Sequence, residues 1–178
     1  MKRLLLLPLL AFAMPATAQD MSAFKTGPVF TDFGPHAPVQ GIEKLPATTE
    51  FKVVFNVDTE AKDGKRNEGI ESAARFINMN VAHGVPEDNI HIAIVAHGKA
   101  LFDLLNPAGW AAHDKSGDNP SAAMVQALLD HGVRIIICGQ SKAALGVKDG
   151  ELIPGVETAL SAMDAFALLQ QQGYTVNP

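Results

Sequence analysis

The sequence predicts an α/β domain with a mostly parallel sheet covered on both faces, and three observations carry that prediction. First, FKVVFNV (51–57), IHIAIVA (90–96) and VRIIIC (133–138) are short, rich in β-branched residues and almost continuously apolar, the pattern of strands buried on both faces. Second, stretches with helical apolar spacing separate these runs, the alternation that builds a parallel sheet. Third, glycines sit where those stretches should end, at Gly84, Gly132 and Gly173.

Taken in order, the chain opens with MKRLLLLPLLAFAMPATAQ: a basic start (Lys2, Arg3), an apolar run to about Met14, and Ala16-Thr17-Ala18. These are the three parts of a cleavable secretory leader, so cleavage is expected after Ala18, with periplasmic location. The run is shorter than the roughly 20 apolar residues a membrane span needs. Residues 19–50 hold Pro28, Pro35, Pro38 and Pro46 with Gly27, Gly34 and Gly41. They read as an extended or irregular arm leading into the domain over 51–178.

After the first strand, DTEAKDGKR is polar loop, and Asn67 is placed to cap a helix over EGIESAARFINMNVAHG, where Ile70, Ala74, Ile77 and Val81 share a face. HGKALFDLL follows the second strand as a short helix. NPAGWAAHDKSGDNP reads as an unusually long loop, and SAAMVQALLDHG as an amphipathic helix. The third strand leads into a turn of helix, GQSKAALG. GVETALSAMDAFALLQQQG then reads as one long C-terminal helix, with YTV as a final edge strand.

Composition excludes some functions. The 160 residues from Gln19 to Pro178 carry 12 basic and 19 acidic residues, a formal charge of −7, which opposes nucleic-acid binding. A single cysteine, Cys138, rules out an intrachain disulfide framework. Neither a Walker loop nor G-x-G-x-x-G is present, G-x-S-x-G is absent, and no close spacing of His or Cys marks a metal. No cofactor and no metal are therefore expected.

Ligands of open α/β sheets bind beyond the carboxyl ends of the strands. Those ends carry Asn56 and Asp58, then His97 and Gly98, then Cys138 with Gly139, Gln140 and Ser141. A thiol opening a helix feels unpaired N–H groups and their partial positive charge, both of which favour the nucleophilic thiolate. Lys142 would add positive charge if it folded back, Gly139 would leave the sulfur uncovered, and His97 on a neighbouring strand would accept the proton. Against this stands a packed, inert cysteine, a common use of free Cys. Trp110, the single tryptophan, would either cover a ligand or pack in a subunit contact.

The stretches VVFNV, GIESAARFINM, IAIVAHGKALFDLL, VRIIICGQSKAALG, LIPGVETALSAM and LQQQGY together resemble the DsrE/DsrF-like family, over about residues 51–176. The resemblance implies a flavodoxin-like three-layer subunit with about five strands that assembles as trimers or hexamers. It also implies that Cys138, at the position of the sulfur-relay cysteine, carries sulfur as a persulfide received from a donor protein or small sulfur species. The relay members are cytoplasmic, whereas this chain has a leader and its own arm. The competing expectation is a non-catalytic oligomer that binds a small ligand or metal at the strand ends.

Overall fold

A computed structural model describes residues 20–177 apart from Asp63; the leader expected over 1–18 lies outside the described residues. The three apolar runs are strands β1 (Phe51–Val57), β2 (Ile90–Ala96) and β3 (Arg134–Cys138). Between them lie α1 (Glu68–Ala82), a 3-10 helix over Gly98–Leu104, α2 (Pro107–Ala112) and α3 (Ala122–Asp130). After β3 come α4 (Gly139–Leu145), β4 (Glu157–Ala159), α5 (Ala162–Gln171) and β5 (Thr175–Asn177).

All five strands are parallel in the order β4-β3-β2-β1-β5. Side chains alternate across a strand, so each apolar run feeds two cores. Phe55, Val57, Ile94, Ala96, Ile135 and Ile137 face the larger one, shared with α1, α3 and the 3-10 helix. Val54, Ala93, Val95 and Ile136 face a smaller one closed by Ala165 and Leu169 of α5. Continuous hydrophobicity in the strands is thus the signature of this double burial.

Asn67 caps α1 as its position predicts: its Oδ1 accepts the N–H groups of Gly69 at 2.9 Å and Ile70 at 3.1 Å. The arm has no strand of its own among the described residues but inserts Phe30 and Phe33 into the larger core. Asn78, fully buried in α1, holds it there. Its Oδ1 accepts from the Val29 and Phe30 amides, and its Nδ2 donates to the carbonyls of Phe30, Phe33 and Gly34.

Two expected elements differ. The stretch read as a single C-terminal helix begins with β4, which pairs Glu157 with Ile136 and Ala159 with Cys138. The open edge of β3 needs a partner, and Arg134 reinforces the pairing with two bonds to Glu157, at 3.0 and 2.8 Å. Ser161 then starts α5, its Oγ accepting the Asp164 amide at 3.1 Å. The stretch read as a long loop contains α2, with Asn106 as N-cap and Pro107 in the first turn, where proline's missing N–H costs nothing.

Candidate functional site

The strand ends meet as the topology requires. Val57 pairs with Ala96 and Ala96 with Ile137, and the His97 amide continues the ladder to the Val57 carbonyl at 2.9 Å. By alternation, Asn56, His97 and Cys138 continue the rows of Val54, Val95 and Ile136 and share the α5 face of the sheet. His97 and Asn56 touch there, Nε2 to Oδ1 at 2.8 Å.

Cys138 is the N-cap of α4 and 6% exposed. Its Sγ accepts the Ser141 amide at 3.5 Å. Burial pushes the thiol pKa up, but the Ser141 hydroxyl and the amides of Ser141, Ala162 and Gln140 outweigh it and hold the thiol below its ordinary value. Ala162 opens α5, so donors from the first turns of two helices converge on one sulfur. Ser141 also ties the sulfur to β2, since its Oγ accepts the Gly98 amide at 3.0 Å. The arrangement can hold a thiolate in a nearly dry site, which is what a nucleophilic sulfur needs.

Three expectations about the surroundings of the sulfur are corrected. Gly139 does not leave the thiol open: a Cβ there would lie 2.6 Å from the Ala159 carbonyl oxygen, so the glycine admits the β4 backbone. Lys142 does not fold back but pairs with Asp149. The His97 ring is turned to Asn56, on the side away from β3. Gly98 is required by its backbone, with φ +54° and the Asp58 carbonyl 3.0 Å from where a Cβ would be.

The remaining candidates scatter. The Asp58 carboxylate accepts the Thr59 hydroxyl, and Asn56 and Asp58 line a cleft of about 300 Å³ running to the start of α1. Gln140 donates from Nε2 to the Leu160 carbonyl at 3.1 Å, pinning the turn between β4 and α5. Trp110 packs against the larger core and donates from Nε1 to the Ser116 carbonyl. His113 pairs with Glu151 at 3.0 Å, and His131 with Glu87 at 2.8 Å. Among the described residues, no group of three or more His, Cys, Asp or Glu is arranged to hold a metal.

One residue escapes sequence reasoning. Asp103 sits in the apolar run ALFDLL yet is fully buried. Its carboxylate accepts from Asn67 Nδ2 at 2.7 Å, the Ala61 amide at 3.0 Å and the Ser121 hydroxyl at 3.3 Å. It thereby fastens the loop after β1 beside the strand ends. Burial raises its pKa against the pull of those three donors. A charged residue inside an apolar stretch was the available signal.

A five-stranded parallel sheet with a buried, donor-ringed thiol at a strand-to-helix switch defines a small flavodoxin-like α/β protein. More specifically, the chain belongs to the DsrE/DsrF-like family, whose model matches residues 52–178, a family linked to sulfur relay. The arm lies outside that match. The fold is similar to the ychN protein of E. coli, with TM-score 0.52 and 18% identity, covering 71% of this chain and 99% of that one. A Methanobacterium thermoautotrophicum protein of unknown function aligns with TM-score 0.49 and 21% identity, covering 72% and 98% of the two chains. Comparison with curated protein sequences finds no match.

Proposed function

We propose that this protein is a periplasmic sulfur carrier in which Cys138 accepts sulfane sulfur and passes it on. The observation that carries the reading is the placement of Cys138 as the N-cap of α4 at the end of β3, its sulfur accepting the Ser141 amide at 3.5 Å. In the first step the Cys138 thiolate attacks the outer sulfur of a donor persulfide, R–S–SH. The donor S–S bond breaks, its electron pair leaves with R–S⁻, and Cys138 becomes Cys138–S–SH, so no outside oxidant is needed. The hydrogen-bond donors at the sulfur then hold the persulfide anion. The thiolate favoured by those donors is the starting state, so the step calls on no base from His97, whose ring is bonded to Asn56. An acceptor thiolate completes the cycle by attacking the outer sulfur and releasing the Cys138 thiolate.

Incubation of the mature protein with glutathione persulfide, followed by intact-mass analysis, should add one sulfur atom to wild type and none to Cys138→Ser. An unmodified wild-type chain would sink the reading.

Export rests on the leader; N-terminal sequencing of the periplasmic fraction should begin at Gln19. Assembly as a trimer or hexamer draws support from Leu160, Met163 and Leu168, which are 74%, 79% and 55% exposed around the outer face of α5. Light scattering on the purified chain tests it, a monomer being the contrary result.

A second reading has its own support, the 6% exposure of Cys138. Here the chain is a non-catalytic oligomeric binding module and the cysteine is core. Slow thiol labelling that hardly responds to pH would favour it; fast labelling below pH 7 would favour the carrier.

A further inference from the structure

We infer that the groove between the arm and α1 is a binding site for an uncharged amphiphile, an apolar chain ending in a hydroxyl group. The groove follows from how the arm is laid on the helix. Gly34 sits directly on α1: a Cβ there would lie 2.7 Å from the Arg75 backbone nitrogen. The arm is tied down again where the Glu43 carbonyl accepts from His83 Nε2 at 2.9 Å. Between these two points α1 advances about 12 Å, at 1.5 Å per residue, whereas residues 34–43 could extend about 30 Å. The surplus chain bows off the helix and turns back at Gly41, with φ +79°. The space it encloses with α1 measures about 400 Å³, within the size range of small-molecule sites.

The walls of this groove are apolar and uncovered. Val39, Ile42 and Leu45 come from the arm and Met79 from α1, and Val39 and Ile42 are 62% and 55% exposed. The arm residues that pack inward do so elsewhere, with Phe30 and Phe33 in the larger core. An apolar chain laid in the groove takes these four side chains out of water, which drives binding.

The polar groups of the groove select the head, because their free atoms can only accept. Asn80 lines the groove and is 6% exposed. Its Nδ2 donates to the Phe76 carbonyl at 2.8 Å, which fixes the amide orientation and leaves Oδ1 as the free atom. Among the described residues, the one buried side-chain nitrogen or oxygen without a partner is Arg75 Nε, which is outside the lining. The unpaired Asn80 oxygen is therefore not sealed in protein, and the groove is the space that Asn80 borders. His36 and His83, also in the lining, each give an Nε2–H to an arm carbonyl at 2.9 Å, those of Gly27 and Glu43. Nδ1 of each neutral ring is then a lone-pair acceptor. Glu43 adds a carboxylate to the same rim. Pure hydrocarbon would cover these acceptors unpaired, at a cost, whereas a hydroxyl supplies the missing proton. A carboxylate head meets only lone pairs and a like charge, so the groove discriminates against it.

Titration calorimetry on the purified chain at about pH 8, above the ordinary histidine range, tests the inference with three probes of one chain length. 1-Decanol should bind saturably. Its methyl ether, which lacks the proton, should bind about fivefold more weakly, the worth of one neutral hydrogen bond. Decanoate should bind more than about tenfold more weakly than the alcohol. Ile42→Asp, at an exposed arm position, puts a second carboxylate into the wall and should abolish decanol binding. Asn80→Leu should bring the alcohol and the ether to equal affinity. On the unaltered chain the Asn80 side-chain amide resonances should move as decanol saturates, which keeps the test valid if that variant misfolds. Absence of saturable decanol binding overturns the inference. Equal wild-type affinity for alcohol and ether does so too, as does Ile42→Asp binding decanol as tightly as wild type. A groove filled by a second copy also overturns it, and shows as a mass by light scattering that falls in Ile42→Asp while decanol does not bind. None of these readings involves Cys138, so they stand apart from the carrier reading.

Discussion

Gly139→Ala tests whether the thiol environment depends on the seating of β4. The added Cβ would lie 2.6 Å from the Ala159 carbonyl oxygen and 3.1 Å from that of Leu160. Both obstacles are backbone, so no side chain can rotate away. Either β4 slides outward or α4 shifts on β3. The strand that would move is short, joined to β3 through three residue pairs and the bonds of Arg134 to Glu157. Overpacking of this kind costs about 1–3 kcal/mol. At about 2–4 °C per kcal/mol for a chain of this length, the melting temperature falls by several degrees. The displacement also carries the start of α5 away from the sulfur, since only Leu160 and Ser161 separate β4 from Ala162. Losing the Ala162 donor raises the thiol pKa, and opening the turn exposes the thiol. Thermal unfolding by circular dichroism reads the first effect and the labelling rate–pH profile the second, with the midpoint moving up and the plateau rate rising. A variant that melts like wild type with an unchanged profile would refute the argument that β4 closes the site.

Two further outcomes follow from the same contacts. Because the Cys138 pKa is lowered by folding, the folded state binds fewer protons than the unfolded one as pH approaches the free-thiol value of about 8.5. Its stabilisation is present above that value and is lost as pH falls through the folded pKa. Urea unfolding under reducing conditions should therefore show wild type gaining on Cys138→Ala as pH rises, and a pH-independent difference would contradict the shift. Asn78→Ala strips the arm of the five bonds Asn78 makes to Val29, Phe30, Phe33 and Gly34, leaving Glu71 to hold the Gly34 amide. At about 1 kcal/mol per bond, with more for groups left buried and unpaired, the loss is about 3 kcal/mol or greater. Limited proteolysis should cut the variant within residues 20–50 well before the domain, and equal resistance of the two chains would show that the arm is held without Asn78.

The fold was legible where one period dominated. Continuous apolar runs located β1, β2 and β3, and Asn67 with Gly84 framed α1, because caps and strand burial are local chemistry. The strand β4 was hidden because its residues, Glu157, Thr158 and Ala159, bury nothing large; their reason for being extended is the open edge of β3, which no local pattern reveals. Likewise α2 was masked by its setting among Gly, Asp and Asn, although Asn106-Pro107 is a helix start when read alone. At the site, strand-end position set His97 beside Cys138, whereas its ring bonds Asn56 on the neighbouring strand. Side-chain direction was not legible: Lys142 is drawn away by Asp149, and Asp149 lies seven residues further on in a 3-10 turn.

Under the carrier reading, the same geometry would let the cysteine be both buried and prepared to react. Burial alone would push the thiol towards its neutral form, as it does for a structural cysteine. Here the elements that bury the sulfur also donate to it. The α4 start supplies the Ser141 amide to the sulfur, β4 leads into the start of α5 beside it, and the Ser141 hydroxyl oxygen accepts the Gly98 amide at the end of β2. Covering the sulfur and stabilising its anion are therefore one act of folding, and a change that loosens the cover should weaken the anion with it. Low exposure is then no argument against a carrier by itself. The distinction between a packed thiol and a prepared one lies in the pH profile, where Gly139 and Ala162 should act together on a single midpoint.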